Sequence, residues 1–147
     1  MKIQYVNGDL FSTDIEHILH GCNAQGVMGS GVAKIIKEQY FDAFAFYAQQ
    51  YDEHGLKLGD VQFVPANGKV IVNAITQEFY GRDGKRYVSY DAVAAAMRTV
   101  NRVLKLSGIN RVAMPKIGAG LGGGDWDAIA AIIEQEMVDV QPVVYVQ

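Results

Sequence analysis

The sequence is poor in cysteine, proline and net charge, and each shortage excludes a class of protein. A single cysteine, Cys22, in 147 residues excludes an internal disulfide and with it a disulfide-stabilised secreted scaffold. Three prolines and no three-residue glycine repeat exclude a collagen-like fibre. A formal net charge of −3, with 50% of the residues hydrophobic, argues against a disordered chain and against a protein that wraps nucleic acid.

Long apolar runs are also missing from the sequence. No run approaches the roughly 18–20 residues that a membrane span requires, and the N-terminus lacks the layout of a signal peptide. We therefore expect a cytoplasmic protein with no membrane contact, folded as one domain over residues 1–147. We also expect a monomer without an extended nucleic-acid surface, since the sequence has no basic stripe.

Glycine, by contrast, is abundant and concentrated. Nine of the sixteen glycines fall in two short stretches, at residues 21–31 and 118–124. This concentration indicates two specialised loops rather than a generally flexible chain.

Hydrophobic periodicity predicts the secondary structure around these loops. The predicted strands lie at residues 2–6, 15–23, 61–64, 69–75, 111–117 and 142–146. Helical spacing runs from Gly31 to Tyr47, and two further helices are predicted at residues 91–106 and 126–138. This alternation predicts an α/β fold, a three-layer α/β/α sandwich around a mixed, centrally parallel six-stranded sheet. Residues 69–75 are apolar almost throughout and are predicted to be central, and the polar, aromatic-rich connection at 76–90 is long enough to suggest a function.

Both glycine loops follow a predicted strand and precede a predicted helix. Ligands of open α/β sheets bind at this edge, where the unpaired N–H groups of helix N-termini favour anions. Glycine also lets the backbone come close to phosphate oxygens. The alternative is that the glycines serve tight turns and close packing, but two such loops together favour a phosphate-containing ligand.

Neither common nucleotide-binding motif fits these loops. Gly21 and Gly26 have the spacing of a P-loop, but Val27 and Met28 stand where lysine and serine or threonine are required. Residues 118–123 match G-x-G-x-x-G formally, yet the strand that follows has no acidic residue at its end for a ribose. The sequence therefore excludes a Rossmann dinucleotide site.

Four motifs follow one another along the chain: GDLF at residues 8–11, HGCN at 20–23, GVMGSGVA at 26–33 and MPKIGAGL at 114–121. In order and spacing they resemble the macrodomain family, which binds ADP-ribose. The resemblance implies that ADP-ribose or ADP-ribose 1''-phosphate is the partner, with Asp9 reading adenine and the glycine loops holding the distal ribose and the diphosphate. We expect no cofactor and no metal, because the histidines and carboxylates show no ligand spacing.

The residues expected to contact the ligand come from these motifs and from the connection at 76–90, where Phe79 and its neighbour Tyr80 are candidates for stacking. They are Asp9, Leu10, Gly26, Val27, Met28, Gly29, Ser30, Gly31, Val32, Thr76, Phe79, Lys116, Ile117, Gly118, Ala119, Gly120 and Leu121.

The HGCN variant, together with a late GGGDW, most resembles the branch of ADP-ribose 1''-phosphate phosphatases. This implies hydrolysis of the 1'' substituent, giving ADP-ribose and phosphate. One alternative is a neighbouring branch that removes ADP-ribose from protein carboxylates or nucleic acid bases through a lysine corresponding to Lys37. Its partner aspartate follows GxGL directly, where this chain has Gly122, and Asp125 comes three residues later. Another alternative is a reader that binds ADP-ribose without turnover.

The candidate catalytic residues are His20, Asn23, Asp125 and Lys37. His20 is predicted to move a proton or contact the 1''-phosphate, or else to be a strand histidine bonded to a backbone carbonyl. Asn23 would orient ribose hydroxyls or a water, or else satisfy a turn. Asp125 has an alternative as a helix N-cap, and Lys37 as a solvated charge. Cys22 is interpreted as a core residue rather than a nucleophile.

Overall fold

The computed structural model describes residues 1–147. Its strands are β1 (Gln4–Asn7), β2 (His17–Asn23), β3 (Val61–Ala66), β4 (Lys69–Gln77), β5 (Arg111–Met114) and β6 (Gln141–Val146). Its helices are α1 (Gly31–Gln39), α2 (Phe41–His54), α3 (Tyr90–Leu106) and α4 (Trp126–Glu136), and a single 3-10 turn spans Leu10–Ser12. None of the helices has the length and apolar content needed to cross a lipid bilayer.

The six strands form one sheet in the order β1-β6-β5-β2-β4-β3. Every neighbouring pair is parallel except β3 and β4, which are antiparallel. One hydrophobic core lies between the sheet and the helices α3 and α4, and a second lies between the sheet and α1 and α2. The predicted α/β sandwich with a mixed, centrally parallel sheet is therefore confirmed.

The alternation of side chains along β2 assigns its residues to the two faces of the sheet. Ile18 and Cys22 belong to the core beneath α1 and α2, whereas Leu19 belongs to the core beneath α3 and α4. This period of two is the expected geometry of a strand that is covered on both faces. It also places His20 on the α1–α2 face and Gly21 on the α3–α4 face.

The single helical segment predicted from Gly31 to Tyr47 is two helices in the structure. The break falls at Tyr40, whose backbone is non-helical at φ −132° and ψ 57°. The Tyr40 ring is buried and stacks on Phe11 at 6.3 Å between centroids. Apolar periodicity continues across the break because α1 and α2 bury their inner faces in the same core.

Candidate functional site

A cavity of about 630 Å³ opens at the carboxyl ends of β5, β2 and β4. These three neighbouring strands are parallel, so the loops that follow them meet at one edge of the sheet. The loops are residues 24–30 after β2, 78–89 after β4 and 115–125 after β5. Both glycine clusters and the aromatic-rich connection thus border the same cavity.

The cavity is lined at its base by Gly21 of β2 and Thr76 of β4. The Thr76 side chain is 1% exposed, and its Oγ1 has no hydrogen-bond partner. A Cβ atom at Gly21 would lie 2.9 Å from that Oγ1, so a larger residue there would crowd the hydroxyl. Buried polar groups nearly always have partners, and Thr76 Oγ1 is the buried side-chain oxygen of this structure that has none.

The N-terminus of α1 faces the cavity without a side-chain cap. Its N-cap residue, Ser30, makes no capping bond, and the Ser30 hydroxyl instead accepts a 2.6 Å hydrogen bond from Arg82. In contrast, Ser89 accepts from Ala92 N–H at the start of α3. The first N–H groups of a helix have no intrahelical partner, so those of α1 are available to an anion in the cavity.

The second glycine loop is folded against itself and against the loop at 78–89. The Gly118 carbonyl accepts from Gly124 N–H at 2.8 Å, and the Gly122 carbonyl accepts from Tyr87 N–H at 2.7 Å. A Cβ at Gly122 would approach the Gly118 carbonyl oxygen to 2.7 Å, so this position requires glycine for packing within the loop. Part of the glycine content in this loop therefore serves a tight turn.

Two cations line the cavity, one from each side. Lys116 comes from the loop after β5, and its Nζ lies 6.0 Å from the Trp126 ring centroid. Arg82 comes from the loop after β4. No aspartate or glutamate lines the cavity, so its charged groups favour an anionic ligand.

Most of the residues expected to contact the ligand line this cavity. They are Val27, Gly29, Ser30, Gly31, Val32, Thr76, Lys116, Ile117, Gly118, Gly120 and Leu121.

Three of the expected ligand residues belong instead to the packed interior. Met28 and Leu10 are buried in the core beneath α1 and α2, and Ala119 packs against the opposite core. The Leu10 and Met28 side chains are removed from water by the protein itself, whereas Ala119 is half-buried. None of the three is among the residues that line the cavity.

Gly26, Phe79 and Asp9 also lie outside the cavity lining. Gly26 has φ +74°, and a Cβ there would lie 2.8 Å from the Tyr51 ring, so the protein's own packing requires this glycine. Phe79 is 61% exposed and is not among the lining residues, whereas Tyr80 is. Asp9 follows β1 at the edge of the sheet, is exposed, and accepts a 3.0 Å hydrogen bond from Phe11 N–H.

His20 does not have the environment that its predicted proton transfer requires. Its side chain is 1% exposed, and Nε2 lies 2.6 Å from Asn73 Oδ1. Burial lowers the pKa of His20 to about 4, an effect that the hydrogen bond to Asn73 only partly offsets. His20 is among the residues that line the cavity, but its ring is a buried, neutral group bonded to a side-chain amide on the opposite face of the sheet from Thr76. The structure does not support its assignment as a general acid or phosphate ligand.

Asn23 lines the cavity, but its amide holds the loop that follows β2. Nδ2 donates to the Val27 carbonyl at 2.8 Å, and Oδ1 accepts from Gln25 N–H at 2.9 Å and from the Tyr47 hydroxyl at 2.8 Å. These bonds match the alternative in which Asn23 satisfies a turn. One Nδ2 hydrogen has no partner here and remains available to a ligand.

Lys37 and Asp125 both lie outside the cavity lining. Lys37 is exposed in the last turn of α1, with Nζ 4.3 Å from the Phe44 ring centroid. Asp125 is exposed and accepts a 3.3 Å hydrogen bond from Asp127 N–H as the N-cap of α4. Lys37 is thus an exposed charge and Asp125 a helix N-cap, as their alternative interpretations predicted, and neither lines the cavity.

Sequence reasoning missed several residues that line the cavity. The most informative is Arg82, and the others are Gly21, Cys22, Ala33, Gln77, Gly81, Pro115 and Gly122. Tyr80, which the sequence suggested as a stacking residue, does line the cavity. The length and polar, aromatic-rich composition of the connection at 76–90, which follows a strand of the parallel sheet, could have pointed to Arg82 and its neighbours. No three His, Cys, Asp or Glu side chains cluster closely enough to hold a metal ion.

The fold and this site define a nucleotide-type cavity at the edge of a parallel α/β sheet. A family model described as Macro domain matches residues 19–133, so the chain belongs to the Macro domain family.

Similar proteins agree with this membership. A DNA ADP-ribosyl glycohydrolase of Mycobacterium tuberculosis is 30% identical over 97% of this chain, and the match covers 42% of that relative. This chain therefore spans about two fifths of the mycobacterial relatives it matches. An ADP-ribose 1''-phosphate phosphatase of Meyerozyma guilliermondii is 26% identical over 93% of this chain and 95% of that protein. The solved macrodomain of Mycobacterium tuberculosis DarG has a TM-score of 0.83 and 28% identity, covering 99% of this chain and 98% of that one.

Proposed function

We propose that this protein binds ADP-ribose derivatives in the cavity and hydrolyses their 1'' substituent, with ADP-ribose 1''-phosphate as the substrate. The observation that carries the proposal is the combination of an unpartnered Thr76 hydroxyl, an uncapped α1 N-terminus and two cations in one cavity. Such a set of groups suits a ligand with both ribose hydroxyls and phosphates. The relatives named as ADP-ribose 1''-phosphate phosphatase and DNA ADP-ribosyl glycohydrolase support this class of ligand.

The proposed ligand lies across the carboxyl edge of the sheet. Asp9 receives the adenine amino group at the β1 end, and the backbone N–H groups of the two glycine loops hold the diphosphate. The distal ribose then lies over Thr76 and Asn23, whose hydroxyl and remaining amide hydrogen are unpaired. These two groups provide the polar contacts that the ribose hydroxyls need.

The proposed reaction transfers the 1''-phosphoryl group to water. A water oxygen bonds to phosphorus, the bond between phosphorus and the 1'' oxygen breaks, and the ribose oxygen takes up the proton that the water loses. Phosphoryl transfer depends mainly on positioning and on stabilising the charge of the phosphoryl oxygens, with little covalent work for the protein. This suits a cavity that has cations and backbone N–H groups but no carboxylate. The proton from water passes through phosphate oxygens of the substrate, because His20 is buried and neutral.

The test combines phosphate release with calorimetry on wild type and Thr76→Val. Wild type is expected to release phosphate from ADP-ribose 1''-phosphate and to bind ADP-ribose. Thr76→Val removes only the unpaired hydroxyl, so affinity for ADP-ribose falls by about 2–12-fold while the free energy of unfolding stays equal or rises. Thr99→Val on α3 makes the same substitution outside the cavity and is expected to leave affinity unchanged.

Two results would contradict this assignment. If Thr76→Val binds ADP-ribose as tightly as wild type, the hydroxyl does not contact the ligand. If wild type releases no phosphate, ADP-ribose 1''-phosphate is not its substrate.

A second candidate is a reader that binds ADP-ribose without turnover. It is favoured by the burial of His20, the histidine that lines the cavity, because a neutral ring bonded to Asn73 is not free to move a proton. A panel of ADP-ribose 1''-phosphate, ADP-ribosylated protein and ADP-ribosylated DNA separates the candidates. Tight ADP-ribose binding with no product from any of the three would establish the reader.

A further inference from the structure

Arg82 is the cavity residue for which neither the sequence motifs nor the fold supplies a role. It lies on the loop at 78–89, is exposed, and donates from Nη2 to Ser30 Oγ at 2.6 Å. Arg86 on the same loop is also exposed, but its guanidinium lies 4.7 Å from the Tyr90 ring centroid and does not line the cavity. The loop therefore brings one of its two guanidinium groups to the cavity and directs the other away.

Hydrogen bonds within the loop hold Arg82 in this position. The Tyr87 hydroxyl donates to Asp83 Oδ1 at 2.9 Å, and Lys85 N–H donates to the same oxygen at 3.1 Å. Tyr87 N–H in turn donates to the Gly122 carbonyl of the opposite loop. The Asp83 carboxylate next to Arg82 is thus engaged by its own loop, and these bonds lower the pKa of Asp83.

The order of the strands places Arg82 at one end of the proposed ligand. Asp9 follows β1, and the loop that carries Arg82 follows β4, four strand spacings away in the sheet. At roughly 4.8 Å each, these spacings amount to about 19 Å. If adenine lies near Asp9, the ligand crosses β6, β5 and β2, and its far end reaches the loop after β4.

We infer that Arg82 binds the terminal phosphate at the 1'' position and determines the preference for a phosphorylated over a bare distal ribose. This inference rests on the proposed function. A guanidinium has several N–H donors, so Arg82 can keep its bond to Ser30 while donating a further pair to phosphate oxygens. In this arrangement Lys116, on the opposite loop, binds the diphosphate. Arg82 thus contributes to substrate choice rather than to general affinity for ADP-ribose.

The test compares Arg82→Gln, Arg82→Lys and the matched control Arg86→Gln, which removes the same charge from the same loop. For Arg82→Gln, kcat/KM on ADP-ribose 1''-phosphate is expected to fall about 10–100-fold, while the Kd for ADP-ribose changes less than about twofold. Arg82→Lys keeps the charge without the paired donors and should give an intermediate loss. Arg86→Gln should match wild type in both measurements.

The outcomes separate this inference from the proposed function. If Arg82→Gln loses as much affinity for ADP-ribose as it loses in kcat/KM on ADP-ribose 1''-phosphate, Arg82 holds the diphosphate and the assignment is overturned. It is also overturned if neither measurement changes. If wild type has no phosphatase activity, calorimetry with intact ADP-ribose 1''-phosphate replaces kcat/KM. The inference then stands only if wild type binds this ligand more tightly than ADP-ribose and Arg82→Gln abolishes that difference.

Discussion

Burial of His20 makes the stability of this fold depend on pH. The ring lies on the α1–α2 face of the sheet, where Nε2 donates to Asn73 Oδ1 of the neighbouring strand β4 at 2.6 Å. This direction follows because Asn73 Nδ2 donates both to the Ala43 carbonyl and to Gln62 Oε1, which leaves Oδ1 as the acceptor. Besides Asn73, the buried Cys22 thiol lies within hydrogen-bonding distance of the ring. Burial raises the pKa of this thiol, so it stays neutral and no negative charge compensates a protonated ring.

The size of the effect follows from the pKa of His20. It is about 4 in the fold, compared with 6.5 for the ordinary side chain. Between these values the unfolded chain binds more protons than the folded one, so stability is complete above about pH 6.5 and is lost as the pH falls toward 4. The full difference amounts to about 3 kcal/mol, of which about 2 kcal/mol is lost by pH 5. The pKa of His17 is also lowered, again mainly by burial, and acts in the same direction.

The assay is urea unfolding of wild type and His20→Asn at about pH 7.5 and about pH 5. Asparagine cannot titrate, and its side chain can still form hydrogen bonds at this position. The change in unfolding free energy between the two pH values should be about 2 kcal/mol smaller in the variant, whatever the variant's stability at neutral pH. NMR of the ring should show a neutral imidazole with the proton on Nε2 at both pH values. Equal pH dependence in both proteins, or a protonated ring at about pH 5, would refute the reasoning.

Two further predictions concern residues that the structure places outside the cavity. Asp125→Ala removes the N-cap of α4 and should lower the unfolding free energy by about 1 kcal/mol, which is roughly 2–4 °C in Tm. The value of kcat/KM should stay unchanged, and Asp125→Ser should restore stability. Lys37→Ala removes an exposed charge that lies over Phe44, so phosphate release should change less than about twofold, because a surface cation–π contact contributes only about 0.5–1 kcal/mol to stability. A much larger loss of activity would show that Lys37 reaches the ligand and would favour the ADP-ribosyl-acceptor hydrolase.

The architecture could be predicted from the sequence because periodicity reports burial directly. All six predicted strands exist, and the segment at 69–75 is a buried strand between β2 and β3, one position in from the edge of the sheet. Periodicity does not report a change in helix direction, so the break at Tyr40 was missed. Predicted strand 111–117 ends at Met114 in the structure, because the next residue, Pro115, has no N–H for the ladder.

The site could be predicted at the level of loops but not of individual side chains. Parallel strands bring their carboxyl ends together, so three segments far apart in sequence were expected to converge. The role of His20 depended on the direction of its side chain, and a strand whose two faces are both buried gives no pattern from which to determine that direction. Arg82 was missed because its position results from hydrogen bonds of Asp83 and Tyr87 within an irregular loop.

The two glycine clusters show that glycine content alone overestimates how many glycines serve ligand binding. Gly26 and Gly122 belong to the loops that the sequence predicts to hold phosphates. A side chain added at Gly26 would instead clash with the Tyr51 ring, and one added at Gly122 with the Gly118 carbonyl. At Gly120 an added Cβ would meet nothing within 4 Å, and this residue lines the cavity. Only positions of the second kind can owe their glycine to the ligand. A substitution to alanine should therefore destabilise the fold at Gly26 or Gly122, whereas at Gly120 its effect is confined to the space that the ligand uses.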